Sequence, residues 1–315
     1  TGTPTRAYTC TAIAWASTHQ QQKPVFLQVG FTGPHEPYHA LPEDVELYSE
    51  TDIPEPIFKE GELEEKPPQH KKHQHFFDTT EYESQIAMPD ASPADIKKMR
   101  RHYYASITTL DRKVGQLINT LEEKGYLDNA VVIFTSDHGD MLGDHKLPYK
   151  WLMYDSIVNI PFIVWDTNSS VQNEKTDALV SQIDVGPTIL DIAGANIPNY
   201  LEGNSLLPHI NGETEKIRNY VFCEDNYQTM IRSEDYKMVY YTDQEDCGEL
   251  YDLNQDPHEL NNLFYEKKYK DIKSKLKQDL LNWLLKSNYK TSIYKNKSLN
   301  SSVRWPGEKD YFLHG

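Results

Sequence analysis

Between Ser92 and Thr135 the sequence runs from a helix signature straight into an uninterrupted apolar stretch, and that succession narrows the possible folds more than any other feature. Ser92 suits an N-cap, Pro93 the first helical turn, and Asp95 the positive end of the helix dipole. Ile107, Leu110, Val114, Leu117, Ile118 and Leu121 then recur on one helical face, and Gly125 suits the residue just past the helix end. Ala130–Thr135 (AVVIFT) follows without polar alternation, as a central parallel strand covered on both faces requires. Pro24–Gly30 (PVFLQVG) and Ile160–Trp165 read as further buried strands, and Asp184–Ala193 as a helix. Ala12–His19 has helical spacing through Ile13 and Trp15. This order of elements predicts crossover connections and an α/β fold, a mostly parallel sheet covered by helices.

The pattern changes twice along the chain. Residues 43–92 are acidic and proline-bearing, with His70, His73 and His75 around Lys71 and Lys72. The histidines show no ordered ligand spacing, so a long solvated insertion loop is expected. Beyond about Pro208, the stretches Tyr220–Glu224, Thr229–Arg232, Lys237–Tyr241 and Leu250–Asp252 alternate with turns and predict a smaller C-terminal antiparallel sheet. Lys267–Leu285 predicts an amphipathic helix through Leu276, Leu280, Trp283 and Leu284, and from Lys286 the chain is polar and expected on the surface. The organisation expected is a domain over 1–207 with an insertion at 43–92, an α+β subdomain over 208–290, and a polar tail over 291–315.

The 48 acidic residues against 32 basic ones give a net charge of −16, which opposes a nucleic-acid or anionic-membrane partner. No apolar run is long enough for a membrane span, and Thr1–Cys10 lack the charged start and apolar stretch of a signal peptide. Cys10, Cys223 and Cys247 match no zinc or redox spacing; Cys223 and Cys247 could pair in an oxidising compartment or stay free.

The chemistry concentrates in Ser136–Lys150, SDHGDMLGDHKLPYK, immediately after the apolar run. The carboxyl ends of strands are where open α/β sheets place ligands. Asp137 and His138 are adjacent, so both reach one cation only from a bent loop, for which Gly139 supplies permissive backbone. A carboxylate with an imidazole suits a divalent cation, but two ligands do not complete a site, and a hydrogen-bonded loop tip accounts for the pair equally well.

SDHGDMLGDH, followed by Lys150 and MYDSIVNIPFIVW, resembles the metal-binding segment of the sulfatase family, within the alkaline phosphatase superfamily. GFTGPHEPY (30–38), YASITTLDRKVGQLINTLEEKGYLDNAVVIFTSDHG, DVGPTILDIAG, MIRSEDYKMVYY and ELYDLNQDPHELNNL resemble further family blocks in the family's order, over most of residues 12–265. The resemblance implies an alkaline-phosphatase-like sheet, with 1–207 as the C-terminal part of the catalytic domain. It implies a sulfuric ester hydrolase acting on an aryl sulfate, a small sulfated substrate or a sulfated glycan. Asp137 and His138 would bind a divalent cation, calcium first, with Mn²⁺ or Mg²⁺ as alternatives. Lys150 and His35 would contact the sulfate, and His145 falls at a typical family position with a role that could be structural. An exported location, periplasmic, secreted or lysosomal, follows from resemblance alone.

The departure is the nucleophile. Family members carry paired aspartates and a C-x-P-x-R or S-x-P-x-R segment whose Cys or Ser becomes formylglycine. GTPTR at Gly2–Arg6 has the proline and arginine, but Gly2 has no side chain to convert, so the formylglycine is expected upstream of Thr1. Two alternatives stay open: a phosphonate monoester or phosphodiester hydrolase of the same superfamily, and a non-catalytic protein that keeps the fold.

Overall fold

The computed structural model describes residues 4–18, 24–79, 88–169, 171 and 173–299. They fall into two compact units, Thr1–Ser170 and Val171–Gly315. That division comes ahead of the 207/208 boundary read from the sequence.

The first unit is organised by α5 (Pro93–Glu123). Among the described residues four shorter helices precede it: α1 (Pro4–Thr18), α2 (Pro42–Val45), α3 (Glu62–Glu65) and α4 (Pro68–Thr79). The α5 start is the one the sequence predicts. Ser92 Oγ accepts the Asp95 amide at 3.2 Å, and the Asp95 carboxylate accepts the Ser92 amide at 3.1 Å. At the other end Gly125 adopts φ +75°, and the Tyr126 amide returns to the Leu121 carbonyl. The C-terminal half of α5 packs Leu117 and Leu121 against Ala12 and Ala16 of α1 and against Tyr126 and Leu127. Its N-terminal half buries Ile96 and Met99 among Tyr38, Phe77, Met88 and Tyr149, so one helix supports both the core and the loops above it.

After α5 come β1 (Val131–Thr135), α6 (Asp155–Val158) and β2 (Phe162–Asp166). Both predicted strands form, but β1 and β2 pair with each other antiparallel, Val131 opposite Asp166 and Thr135 opposite Phe162. The expected parallel crossover is absent between them because residues 136–161 hold only a 3₁₀ turn and the four-residue α6, too little helix to carry the chain back. Residues 24–30 are not a buried strand either: Phe26 is 71% exposed, and no described strand supplies a backbone partner. The insertion is a third correction. Instead of a solvated loop, residues 68–79 form α4, with His70 and Phe77 buried, because Phe77 finds Tyr149 and Met88 as apolar partners.

The second unit contains α7 (Val185–Ile192), α8 (Leu207–Ile210), β3 (Val221–Asp225), β4 (Gln228–Arg232), β5 (Tyr236–Tyr241), β6 (Cys247–Asp252) and α9 (Lys270–Leu299). The four strands form an antiparallel meander in sequence order. Leu276 and Leu280 of α9 cover Ile231, Met238 and Leu250, and Trp283 stacks on Phe222 at 4.5 Å. The helix runs on to Leu299, past the expected end at Leu285 and into the tail expected over 291–315, of which 300–315 lie outside the described residues. Cys223 and Cys247 are free thiols.

Candidate active site

β1 ends at Thr135, and the next five residues fold back on the turn before β2. The Gly139 amide donates to Ile157 O at 2.7 Å, and the Asp140 amide donates to Ser156 O at 3.1 Å. A Cβ on Gly139 would lie 2.0 Å from the Ser156 carbonyl oxygen, so glycine is required by the approach of the α6 backbone rather than by a positive φ. This bend brings the side chains of Asp137 and His138 together: Nε2 of the imidazole lies 3.6 Å from Oδ2 of the carboxylate. Ser136 Oγ donates to His138 O at 2.9 Å, and the His138 amide donates to Asp137 Oδ1 at 2.9 Å. Partial desolvation works to raise the Asp137 carboxyl, but the His138 amide and imidazole outweigh it and hold the group below its ordinary value.

The loop that follows is unusually contorted. Leu142, His145, Lys146, Tyr149 and Trp151 all take positive φ, which costs energy in non-glycine residues and persists only where the surroundings impose it. The surroundings are polar clamps. Arg100 on α5 donates to Leu142 O at 2.9 Å, to Pro54 O and Glu55 O at 3.2 Å each, and to Asp144 Oδ1 at 2.6 Å. His145 is buried, stacked on Tyr154 at 4.0 Å and in contact with Glu62 at 2.5 Å, while Lys66 faces the same Glu62 at 3.3 Å. From α4, Gln74 donates to Lys146 O at 2.9 Å, and His73 Nε2 meets Lys150 O at 2.6 Å. Burial pushes the His73 imidazole down to about 4, so it is neutral and Nε2–H is the donor.

These clamps deliver Lys150 to the loop at residues 33–38. Its Nζ lies 2.9 Å from His35 Nε2 and 3.3 and 3.5 Å from the two carboxylate oxygens of Glu36. The Glu36 side chain is only 2% exposed. Beneath it, Tyr38 donates to Asp140 Oδ2 at 2.7 Å, and the Leu142 amide donates to Asp140 Oδ1 at 2.9 Å. Burial dominates at Asp140 and raises its carboxyl above the ordinary value, with Glu36 adding to the rise. Tyr103 of α5 packs edge-on against Tyr38 at 5.3 Å. Its phenol is pushed up to about 12, by burial first and then by Asp140, Asp137 and Glu36, so all three carboxyls lie within electrostatic reach of one ring.

The structure thus places His35 beside Lys150 and Asp137 beside His138, and the carboxyls of Glu36, Asp137 and Asp140 all act on the Tyr103 phenol. Sequence reasoning missed Glu36, Tyr38, Asp140 and Tyr103, which lie within or beside stretches already singled out. His73 was not legible either, because its tract has the composition of a loop. An oxygen and a nitrogen donor converging from one loop suit a divalent cation, and they fill one corner of its shell. Among the described residues no group of three or more His, Cys, Asp or Glu side chains has the geometry of a metal site.

Comparison with known proteins agrees with this architecture. A family model described as Sulfatase matches residues 2–195, and one described as N-sulphoglucosamine sulphohydrolase, C-terminal, matches 143–286. An arylsulfatase of Clostridium perfringens is 29% identical over 276 residues, covering 85% of this chain and 55% of that protein. An N-acetylglucosamine-6-O-sulfatase of Bacteroides thetaiotaomicron is 31% identical over 194 residues, covering 56% of this chain and 35% of that protein. The solved structure of a phosphonate monoester hydrolase of Agrobacterium radiobacter superposes with a TM-score of 0.81 at 25% identity, covering 90% of this chain and 61% of that one. The chain spans about half the length of the curated relatives it matches.

Proposed function

The chain belongs to the sulfatase family, and from that premise we propose that it carries the anion-binding half of a sulfuric ester hydrolase site, with Lys150 and His35 as the sulfate-contacting residues. The observation that carries this reading is the 2.9 Å approach of Lys150 Nζ to His35 Nε2, across 115 residues of sequence, at the end of a heavily clamped loop. Sulfuryl transfer builds negative charge on the equatorial and leaving oxygens, and a fixed ammonium aimed at them lowers the barrier most where water is excluded. Lys150 supplies a compact charge with rotatable donors. Asp137 and His138 are the residues that would hold a divalent cation, calcium first, with Mn²⁺ or Mg²⁺ as alternatives. When bound, the cation polarises the sulfate oxygens as a Lewis acid. The nucleophile, a formylglycine made from a Cys or Ser, is assigned to a segment outside this sequence.

The substrate proposed is an aryl sulfate or a sulfated carbohydrate. Its support is the naming of the Clostridium and Bacteroides relatives and the match of 143–286 to the N-sulphoglucosamine sulphohydrolase model. An exported location rests on the family alone. The test is Lys150→Ala in the full-length protein, which should cut sulfate-ester turnover at least about a hundredfold, the loss typical of removing one transition-state donor. Unchanged kinetics would remove Lys150 from the site. The superposition on a phosphonate monoester hydrolase favours a second reading, hydrolysis of phosphonate monoesters at the same residues. Parallel assays with a phenyl phosphonate ester and an aryl sulfate separate the two.

A further inference from the structure

We propose that Glu36 is a positioning residue whose buried carboxylate holds the Lys150 ammonium against His35, so that Lys150, and not His35, presents the proton donor to the ester.

Three contacts carry this. Lys150 Nζ lies 2.9 Å from His35 Nε2. An ammonium has only donors, so His35 Nε2 must be the acceptor and carries no proton there. His35 Nδ1 lies 2.8 Å from the Glu36 carbonyl oxygen, which only accepts, so Nδ1 carries the hydrogen. The two contacts fix one neutral tautomer, with its lone pair turned toward the lysine. The third contact is the Glu36 carboxylate, 3.3 and 3.5 Å from Nζ and almost wholly buried. Of the three ammonium donors, one is occupied by His35 and another is drawn to Glu36, which leaves one with no partner among the described residues. On this arrangement both ring nitrogens are taken, so His35 acts on the ester by holding Lys150 rather than through a hydrogen of its own.

The geometry also explains why the carboxylate is Glu36 and not its neighbour. Asp140 already accepts from Tyr38 and from the Leu142 amide, so its oxygens are committed below the lysine. Among the described residues the hydrogen-bond and ion-pair partners of the Lys150 ammonium are His35 and Glu36, and only Glu36 is an anion. Glu36 is therefore the counter-charge that keeps a long, flexible side chain in one position. A displacement of about 1 Å at such a donor can cost about a hundredfold in rate.

The inference deepens the proposed function and rests on it for the identity of the ester, but not for the hydrogen-bond arrangement. The experiment therefore has two arms. In the first, nitrogen NMR of ¹⁵N-histidine-labelled full-length protein, with His35 assigned through His35→Gln, reads the tautomer without any substrate. The expected spectrum shows a neutral ring with Nδ1 protonated and Nε2 bare, and Glu36→Gln moves the Nε2 resonance. A ring protonated at Nε2, or an Nε2 signal indifferent to Glu36→Gln, overturns the proposal. In the second arm Glu36→Gln and Glu36→Asp are compared on whichever ester the wild type hydrolyses, sulfate or phosphonate. Glu36→Gln should lower kcat by about tenfold to a hundredfold with KM within about threefold. Glu36→Asp, which keeps the charge, should recover at least half of that loss on a logarithmic scale. A Glu36→Gln enzyme within twofold of wild-type kcat overturns the proposal, as does a Glu36→Asp enzyme no better than Glu36→Gln. Wild-type protein that hydrolyses only the phosphonate ester contradicts the sulfatase reading and leaves the Glu36 comparison valid.

Discussion

Arg100→Ala tests whether the contorted loop is held from α5. The guanidinium is 6% exposed and donates to three backbone carbonyls, of Leu142, Pro54 and Glu55, and to the Asp144 carboxylate. Removing one partner of a buried ion pair costs about 3–5 kcal/mol, because the remaining charge stays desolvated. Asp144 keeps the Ile57 amide at 2.6 Å and is 20% exposed, so the lower end applies, about 3 kcal/mol. With a urea m-value near 3 kcal/mol/M, the midpoint should fall by about 1 M. Arg100→Lys separates fork geometry from charge, since an ammonium cannot reach four acceptors in two segments at once. It should recover less than half of the loss. Because Lys150 is delivered by the same loop, turnover of the Arg100→Ala protein should fall even well below its unfolding midpoint. A midpoint shift under about 0.3 M, or full recovery by lysine, would refute the clamp.

Three further outcomes follow from the same geometry. His73 has a folded pKa near 4, below its ordinary 6.5, so the unfolded chain binds more protons between those values and stability falls as pH drops from about 6.5 to about 4. Against His73→Gln, which keeps a donor for Lys150 O, the wild type should lose up to about 3 kcal/mol more across that window, and parallel pH curves would exclude His73 as the cause. Gly139→Ala sets a Cβ against the Ser156 carbonyl oxygen and should cost about 2–3 kcal/mol in a urea titration, since backbone cannot step aside as a side chain can; a neutral effect would show that the loop relaxes. The isolated 315-residue chain exposes Phe26, Ile163 and Trp165 at 71%, 57% and 44%, and should self-associate on size-exclusion chromatography, whereas a monodisperse monomer at high concentration would contradict this.

Where the sequence was legible, the signal was local. The cap at Ser92, the end at Gly125, the four strands after Tyr220 and the α9 stripe through Leu276 and Leu280 are set by neighbours within a few residues, and each formed as read. Pairing of β1 was not legible, because an apolar run states that a strand is covered without stating by what or in which direction. The alkaline-phosphatase-like fold came from the order of blocks rather than from any one strand. The His-rich tract failed for the opposite reason. Its helix is specified by Phe77 meeting Tyr149 and by His73 meeting the Lys150 carbonyl, contacts more than seventy residues away along the chain. At the site, the acids were invisible as partners: Glu36 and Asp140 lie inside motifs already quoted, yet nothing in their spacing says that one faces a lysine and the other a tyrosine.

The same acids bear on how a chain of net charge −16 could receive an anionic ester. The pocket's own balance is unfavourable. Lys150 brings one positive charge, His35 as its acceptor is neutral, and Glu36 and Asp137 bring two negative charges. Asp140 adds a third carboxyl, held above its ordinary value chiefly by burial. An ester approaching these residues alone meets more negative charge than positive. A divalent cation seated on Asp137 and His138 would offset that negative charge. Anion affinity in this family member should therefore depend on the cation more steeply than on Lys150 itself. If Lys150 is the sulfate-contacting lysine proposed above, the arrangement that holds it in place would cost it much of its long-range attraction and make it a short-range donor.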